Sequence, residues 1–568
     1  MGEQNFHVDL TSIIDRYQVV DQRKYQIDCI EEIVGNLNNG NDVLIDLPTG
    51  TGKTLIYSPI VADVAEKGGS VIVLTATKQA QRRVGGEIKR FERDGKHVLI
   101  YGIGEYNCPL SGEKAQHWDC HELKEEFCKL QNIDCDVINS ENNFLSNNLV
   151  ITNFSKFLSS PTNRDYDIIV LDDSHGFENT QDQIHQLTVI YGEARILYER
   201  RILSEPLQKM LENFLNLFSE IFERCVNPMD NEGVITPEYL LQLAGILEDD
   251  AEQQIKDEIK ELPPYSDTQS LCRKIYYFIR TCKASSKHQF YIRKDYYNRE
   301  DWDSSELISR REGIIDFVIR NCFRKSRVIF VTATPGNAKL HAKSCTLRNY
   351  NESGLGEVPS EKINSPVIDD WFKRLKIIVT KDIGDTRQRN PFEKAIKLTT
   401  DILEARKERA LVLFKNYRDQ RSAYDVLSKI FTPEKLFFID STSKEPDIVE
   451  ELADKSQISL ASASSTLWEG INIKNLRLSI IITAPFIRPN VGKKDYLLAE
   501  RRMLVRLQQG IGRIIRRQKD FGVAVLTDSR FVKYVNRKAF SQHLRDQVDL
   551  LEFSNILPTI SELFESWS

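Results

Sequence analysis

Three short stretches hold the side chains whose types and spacing could do chemistry. PTGTGKT (Pro48–Thr54) places Gly50 and Gly52 where a backbone must turn its N–H groups inward, with Lys53 and Thr54 next. In a phosphate-cradling loop, Pro48, Thr49, Gly50, Thr51 and Gly52 form the cradle. Lys53 would reach the β and γ phosphates of a nucleoside triphosphate, and Thr54 would ligate Mg2+. Leu47 stands where many such loops carry Gly or Ala. YDIIVLDDSH ends in adjacent carboxylates: Asp172 would hold Mg2+ through water, and Asp173 would orient and deprotonate an attacking water. His175, two residues on, could couple nucleotide state to the rest of the chain. RRMLVRLQQGIGRIIRRQKD sets Gln509, Arg513 and Arg516 at i, i+4 and i+7, one face of a helix. Arginine can fork onto a γ-phosphate and stabilise its transition-state charge. Each stretch has a bland counterpart, namely a glycine turn, a solvated acidic turn and a basic solvated face. In one chain, the three together favour triphosphate hydrolysis.

A fourth group is made of thiols. Of ten cysteines none follows Cys345, and Cys108, Cys120, Cys128 and Cys135 lie 12, 8 and 7 positions apart within one charged segment. Thiolates suit iron–sulfur clusters, commonly four per cluster. Spacing alone fits a four-cysteine zinc site nearly as well, although these gaps are looser than paired CxxC knuckles. The N-terminus lacks the basic-then-apolar order of a secretion signal. No apolar run is long enough to span a bilayer. A soluble intracellular chain with reduced thiols and no membrane partner is therefore expected. Cys29, Cys225, Cys272, Cys282, Cys322 and Cys345 read as small buried residues. The net charge of −6 does not mark a nucleic-acid binder, but local basic stripes act regardless of the total.

The elements that must position these groups follow from apolar patterning. DVLIDL reads as a buried strand, feeding the glycine loop and then LIYSPIVADVAEK, a helix. YDIIVLDD ends a second such strand. From about Asp369 onward ALVLF, LFFID, ISLAS, LSIIIT and GVAVL alternate with helical stretches, which specifies a second parallel α/β sheet. Between the carboxylates and VTATP, residues 176–325 read as helical. Leu207, Met210, Phe214, Phe218 and Phe222 form a core-facing stripe there, and Thr236 and Pro237 open a further helix. YIRKDYYNREDW is an aromatic and basic patch that suits either a strand-stacking surface or amphipathic edge residues. SGLGEVPSEKINSP reads as a linker.

In this order the pieces resemble the XPD/DinG-type iron–sulfur DNA helicases of superfamily two. RKYQ resembles an adenine-contacting segment, which makes Arg23 and Gln26 nucleotide contacts. VIVLTATKQAQRR resembles the first strand-contacting motif, DDSH the DEAH box and VTATP the coupling motif. ALVLFKNY resembles the opening of the second motor domain, and LWEGINI a motif whose Glu469, Gly470 and Asn472 would sense the nucleotide. Gln509 to Arg516 resembles the arginine-finger helix, and GVAVLTDSRF the closing strand.

The resemblance implies an α/β fold with two RecA-like parallel-sheet motor domains. The first would comprise 1–103, 136–175 and 326–352, interrupted by an iron–sulfur insertion at 104–135 and a helical arch at 176–325. A linker at 353–368 would lead to the second motor domain, 369–568. It further implies ATP and Mg2+ as cofactors and a 4Fe-4S cluster on Cys108, Cys120, Cys128 and Cys135. The implied activity is DNA-stimulated ATP hydrolysis driving 5′ to 3′ movement on single-stranded and forked DNA, by a monomer, in genome maintenance or defence. A cytoplasmic, nucleoid-associated location is expected, or a nuclear one in a eukaryote.

Two departures qualify the pattern. Asp173 replaces the family's Glu and Asn472 a common Asp. A water-activating oxygen displaced by about an ångström can cost about a hundredfold in rate, so slow turnover is expected and Asp173→Glu should raise it. One rival is an ATP-gated nucleic-acid clamp that barely hydrolyses. Another is a motor that tracks RNA or RNA–DNA hybrids.

Overall fold

The computed structural model describes residues 7–20, 24–47, 51–93, 97–102, 105–107, 135–159, 164–183, 186–226, 232–247, 249–262, 267–283, 288–293, 305–311, 314–332, 338–346, 348, 355–359, 373–438, 446–462, 473–485, 496–515, 520–536 and 542–567. In chain order the strands are β1 (Asp42–Asp46), β2 (Val71–Thr75), β3 (His97–Ile100), β4 (Leu149–Asn153) and β5 (Ile168–Asp172). Next come β6 (Gln186–Ile190), β7 (Glu232–Val234), β8 (His288–Arg293) and β9 (Glu306–Arg311). β10 (Arg327–Thr332) and β11 (Leu355–Pro359) follow, then β12 (Leu375–Thr380), β13 (Arg409–Phe414) and β14 (Leu436–Phe438). β15 (Ile458–Ser462), β16 (Leu476–Ile481), β17 (Gly522–Leu526) and β18 (Val548–Leu551) complete the set.

Two seven-stranded sheets result, ordered β11-β1-β10-β5-β2-β4-β3 and β14-β15-β13-β16-β17-β12-β18. Every pairing described in them is parallel. Parallel strands must be covered on both faces, which is why VIVL, IIVL and ALVLF are unbroken apolar runs. Alternation then divides one strand between two cores. In β13, Leu411 and Leu413 pack on one side of the second sheet, and Ala410, Val412 and Phe414 on the other.

Both sheets start a helix with the same device. Thr77 caps the helix Lys78–Lys89 by accepting from the Ala80 N–H, and Asn416 caps Tyr417–Leu427 by accepting from the Asp419 N–H. Four residues after each cap a buried glutamine donates to a carbonyl in the middle of a nearby strand, Gln81 to Ile151 O and Gln420 to Leu460 O. In the closing TDSRF stretch, Asp528 is fully buried and accepts from Thr386 Oγ1 at 2.8 Å and Arg530 Nε at 2.9 Å, which ties the segment after β12 to the residues after β17.

Two readings of the sequence require amendment. LGEVP, taken as linker, is the edge strand β11, pairing with β1. Gly356 is required there, because a Cβ would come within 2.3 Å of the Asn36 side chain, and Pro359 is tolerated because the strand is at an edge. The region read as helical is mixed. Thr180–Val318 form the body of a separate compact unit containing an antiparallel sheet, β6-β9-β8-β7, beside its helices. The apolar stripe of Glu205–Cys225 is buried as expected, with Phe214 and Phe218 at its centre. Thr236 does occupy the N-cap of Pro237–Gly245, though its side chain makes no capping hydrogen bond. Of the six cysteines read as buried, Cys225 is only half-buried. Among the described residues no helix is long and apolar enough to cross a membrane.

Candidate active site

The glycine loop joins β1 to the helix Lys53–Glu66, as its sequence context requires. Pro48, Thr49 and Gly50 lie outside the described residues, as does Arg23. Gly52 has φ +81°, and a Cβ there would sit 2.3 Å from Gln26 Nε2, so glycine is dictated twice. Gln26 is fully buried. Its carboxamide donates to Thr51 O at 2.6 Å and accepts from the Tyr17 hydroxyl, while Tyr25 also donates to Thr51 O at 2.8 Å. One end of Gln26 therefore holds the loop at Thr51 while the other is held by Tyr17, which the expectation of an adenine contact did not foresee.

Lys53 Nζ donates to Leu47 O at 2.9 Å. Burial lowers its pKa, opposed by the carboxylates of Asp173, Asp172 and Asp46. Asp172 is the last residue of β5, paired in register with Val331 of β10. Burial, and then the neighbouring Asp173 carboxylate, push the Asp172 carboxyl up to about 7. Its Oδ2 is buried without a hydrogen-bond partner. An orphaned carboxylate oxygen close to the ammonium of Lys53 fits a site completed by a hydrated divalent cation, for which Thr54 and Asp172 would be the holding residues.

Asp173 has φ +56°, a left-handed conformation that Asp tolerates better than most side chains. Ser174 then ties the box to the end of β10. It donates to Val331 O at 3.3 Å and shares a 2.6 Å hydrogen bond with the buried His341 of the helix Ala338–Thr346. The TATP residues between β10 and that helix lie outside the described residues, save for the Thr332 that ends the strand.

From the second sheet, the helix Tyr496–Gly512 brings Gln509 to His175, 334 positions away in sequence, at 2.6 Å between Nε2 atoms. This contact joins the carboxylate box of one sheet to the arginine-bearing segment of the other. The helix ends at Gly512, so Arg513 lies in the following turn, buried, rather than on the expected helical face. Arg516, Glu469, Gly470 and Asn472 lie outside the described residues.

Cys108, Cys120 and Cys128 also lie outside the described residues, and among those described no group of three or more metal-ligating side chains occurs. The base of the segment is nonetheless defined. Cys135 is buried against Tyr106, Val137 and Ile138. Tyr106 accepts from the Tyr101 N–H at 3.0 Å and shares a 2.8 Å hydrogen bond with Ser140. Arg164 caps the C-terminal end of the helix Asp136–Ser146, donating to Leu145 O and Asn147 O. Tyr106, which packs against Cys135, stands two residues before Cys108 in sequence.

Two family descriptions match the chain: a helicase C-terminal domain over residues 399–547, and the res subunit of type III restriction enzymes over residues 20–198. A probable ATP-dependent helicase of Methanocaldococcus jannaschii is 23% identical over 636 residues, covering 94% of this chain and 95% of that protein. A 3′-5′ exonuclease DinG of Staphylococcus aureus is 21% identical over 211 residues, 34% of this chain and only 23% of the exonuclease. Among solved structures, an XPD helicase superposes with a TM-score of 0.66 at 16% identity, covering 94% of this chain and 100% of its own. Xpd4 of S. tokodaii superposes at 0.55 with 12% identity, covering 93% and 100%. At these identities the structural likeness is one of fold.

Proposed function

This chain belongs to the XPD/DinG-type helicases of superfamily two, and on that footing we propose that it moves 5′ to 3′ along single-stranded DNA, driven by ATP, and parts duplex or forked DNA ahead of it. Lys53 would neutralise charge on the β and γ phosphates, Thr54 and Asp172 would hold Mg2+, and Asp173 would orient and deprotonate the attacking water. Mg2+, when bound, would supply charge stabilisation for the transferring phosphoryl group. Arg513 and Arg516 approach the γ-phosphate from the second sheet, and Glu469 and Gly470 sense the nucleotide. Strand grip comes from backbone amides and cations on phosphates, with little sequence preference.

The observation that carries this reading is the His175–Gln509 hydrogen bond. The bond supports coupling of nucleotide state between the two sheets, which a motor and an ATP-gated clamp both need, and turnover separates the two. Residues 104–135 are proposed to form a cluster insertion, with Cys108, Cys120, Cys128 and Cys135 as thiolate ligands. A bound 4Fe-4S cluster would supply a rigid cross-link there. The unit of residues 180–318 is proposed as the arch.

The test is strand displacement on forked DNA and on matched RNA, with ATP turnover measured beside it and Lys53→Ala as control. DNA-stimulated hydrolysis and unwinding, both lost in Lys53→Ala, are expected. Full turnover by Lys53→Ala would refute the site, and stimulation by RNA alone would move the track. Anaerobic preparation should give visible absorbance with about four irons per chain. One zinc instead would overturn the cluster.

A further inference from the structure

The helix Leu10–Val20, which no motif singles out, is tied both to the glycine loop and to the far end of the helix that follows it. At that far end, Ser12 Oγ donates to Asp63 Oδ1 at 2.7 Å and Arg16 Nη2 donates to Glu66 Oε2 at 2.8 Å. At the loop, the Tyr17 hydroxyl donates to Gln26 Oε1, and Gln26 Nε2 donates to Thr51 O at 2.6 Å. Tyr17, Gln26 and Thr51 are all fully buried. The Tyr17 ring also stacks on Phe91, with centroids 6.4 Å apart and planes 7° from parallel.

The Gln26 amide is committed on every side that matters to a base. Its two protons go to Thr51 O and, at 3.3 Å, to the Tyr25 hydroxyl, so no donor remains for a purine ring nitrogen. Thr51 O in turn receives a second donor, the Tyr25 hydroxyl at 2.8 Å. A trans peptide is planar, and its carbonyl and the next N–H point in opposite directions. Two donors that fix Thr51 O on one side of the loop therefore aim the Gly52 N–H at the other side. Gly52, at φ +81°, leaves no Cβ between the loop and Gln26.

We propose that Tyr17 is a positioning residue of the nucleotide site: by holding Gln26 against Thr51 it aims the Gly52 N–H at the phosphates, and its effect on binding is independent of the base. This rests on the reading of Pro48–Thr54 as the phosphate cradle. Gln26 then acts on the phosphate end of a purine nucleotide rather than on its ring, and the helix Leu10–Val20 becomes a support of the site.

The experiment uses the full chain and measures displacement of a fluorescent ADP analogue by unlabelled ADP and GDP, with melting curves taken without ligand. Tyr17→Phe keeps the stacked ring and removes only the hydroxyl. It should weaken ADP and GDP by the same factor, about 2- to 10-fold, the contribution of one neutral hydrogen bond, so that the preference between them stays that of the wild type. Adding Tyr17→Phe to Gln26→Ala should bring no further loss, because the relay is already cut. Tyr25→Phe removes the other donor to Thr51 O and should give the same base-independent loss, which keeps the test open if Tyr17→Phe does not fold. Weaker ADP binding with unaltered GDP binding would make Gln26 a reader of adenine and overturn the proposal. A lower melting temperature with both affinities unchanged would assign the Tyr17 hydroxyl to folding alone, and a further loss in the double variant would show that it acts by another route; either result also overturns it. If Lys53→Ala binds both nucleotides as the wild type does, the glycine loop is not the site and the underlying reading falls first.

Discussion

The link between His175 and Gln509 can be weighed by a double-mutant cycle. The bond is 2.6 Å long and joins residues of the two sheets, with His175 8% exposed. His175 Nδ1 and Gln509 Oε1 are buried without partners, so neither side chain has an alternative bond to fall back on. A buried hydrogen bond contributes about 0.5–1.5 kcal/mol net, whereas stranding one partner costs about 1–3 kcal/mol. His175→Ala and Gln509→Ala should each lower DNA-stimulated kcat/KM by about 5- to 100-fold, since about 1.4 kcal/mol is a factor of ten. The double variant should lose less than the product of the two, because the second truncation removes a group already stranded. A coupling energy near 1 kcal/mol, roughly fivefold in rate, is expected for residues in direct contact. Steady-state ATP turnover with single-stranded DNA measures all four corners, and melting curves establish that each variant is folded. If the single effects add within about 0.5 kcal/mol, the bond does not participate in turnover and the reasoning fails.

Two further outcomes follow from the carboxylates. Asp173 sits at φ +56°, where a longer side chain without Asp's local hydrogen-bonding reach is disfavoured, by up to about 1–2 kcal/mol. Asp173→Glu should therefore lower the melting temperature without raising turnover, in contrast to the gain that side-chain length alone suggests; a faster enzyme of unchanged stability would contradict this. Asp172 is raised from 3.8 to about 7, so its proton is held more tightly in the folded chain than in the unfolded one. Its contribution to ligand-free stability is present below the unfolded value and lost as pH rises through about 7. Mg2+ competes with that same proton, so its apparent affinity should strengthen by up to about tenfold per pH unit across this window and then level off. Mg2+ titrations of nucleotide binding between about pH 5.5 and 8 test it, and a flat response would remove Asp172 from the cation site.

How far the molecule was legible beforehand depended on how local each determinant is. IIVLD and ALVLF announce buried parallel strands because both faces of such strands must be apolar, and PTGTGKT is recognisable because phosphate recognition is written into one turn. β11 was hidden because an edge strand pairs through its backbone, leaving Gly356 and Pro359 to look like linker punctuation. The sheet in residues 180–318 was hidden for a related reason: HQFYIR and ELISRR have polar ends, and only Phe290, Ile292 and Leu307 face their unit's main core. The site divides the same way. Lys53, Asp172 and Asp173 follow from their neighbours in sequence, but the backbone angle of Asp173 does not, nor does the commitment of Gln26 to Tyr17 and Thr51. Gly512 was a readable stop for the helix, and reading it would have removed Arg513 from the helical face. What no local pattern can state is which distant polar groups will be left without partners. His175 and Gln509 come from different sheets, and only the packed structure reveals that each keeps a buried polar atom without a hydrogen-bond partner beside the bond that joins them. Such unpaired groups cost stability in the ligand-free chain, and a site that retains them must recover that cost when its ligand binds.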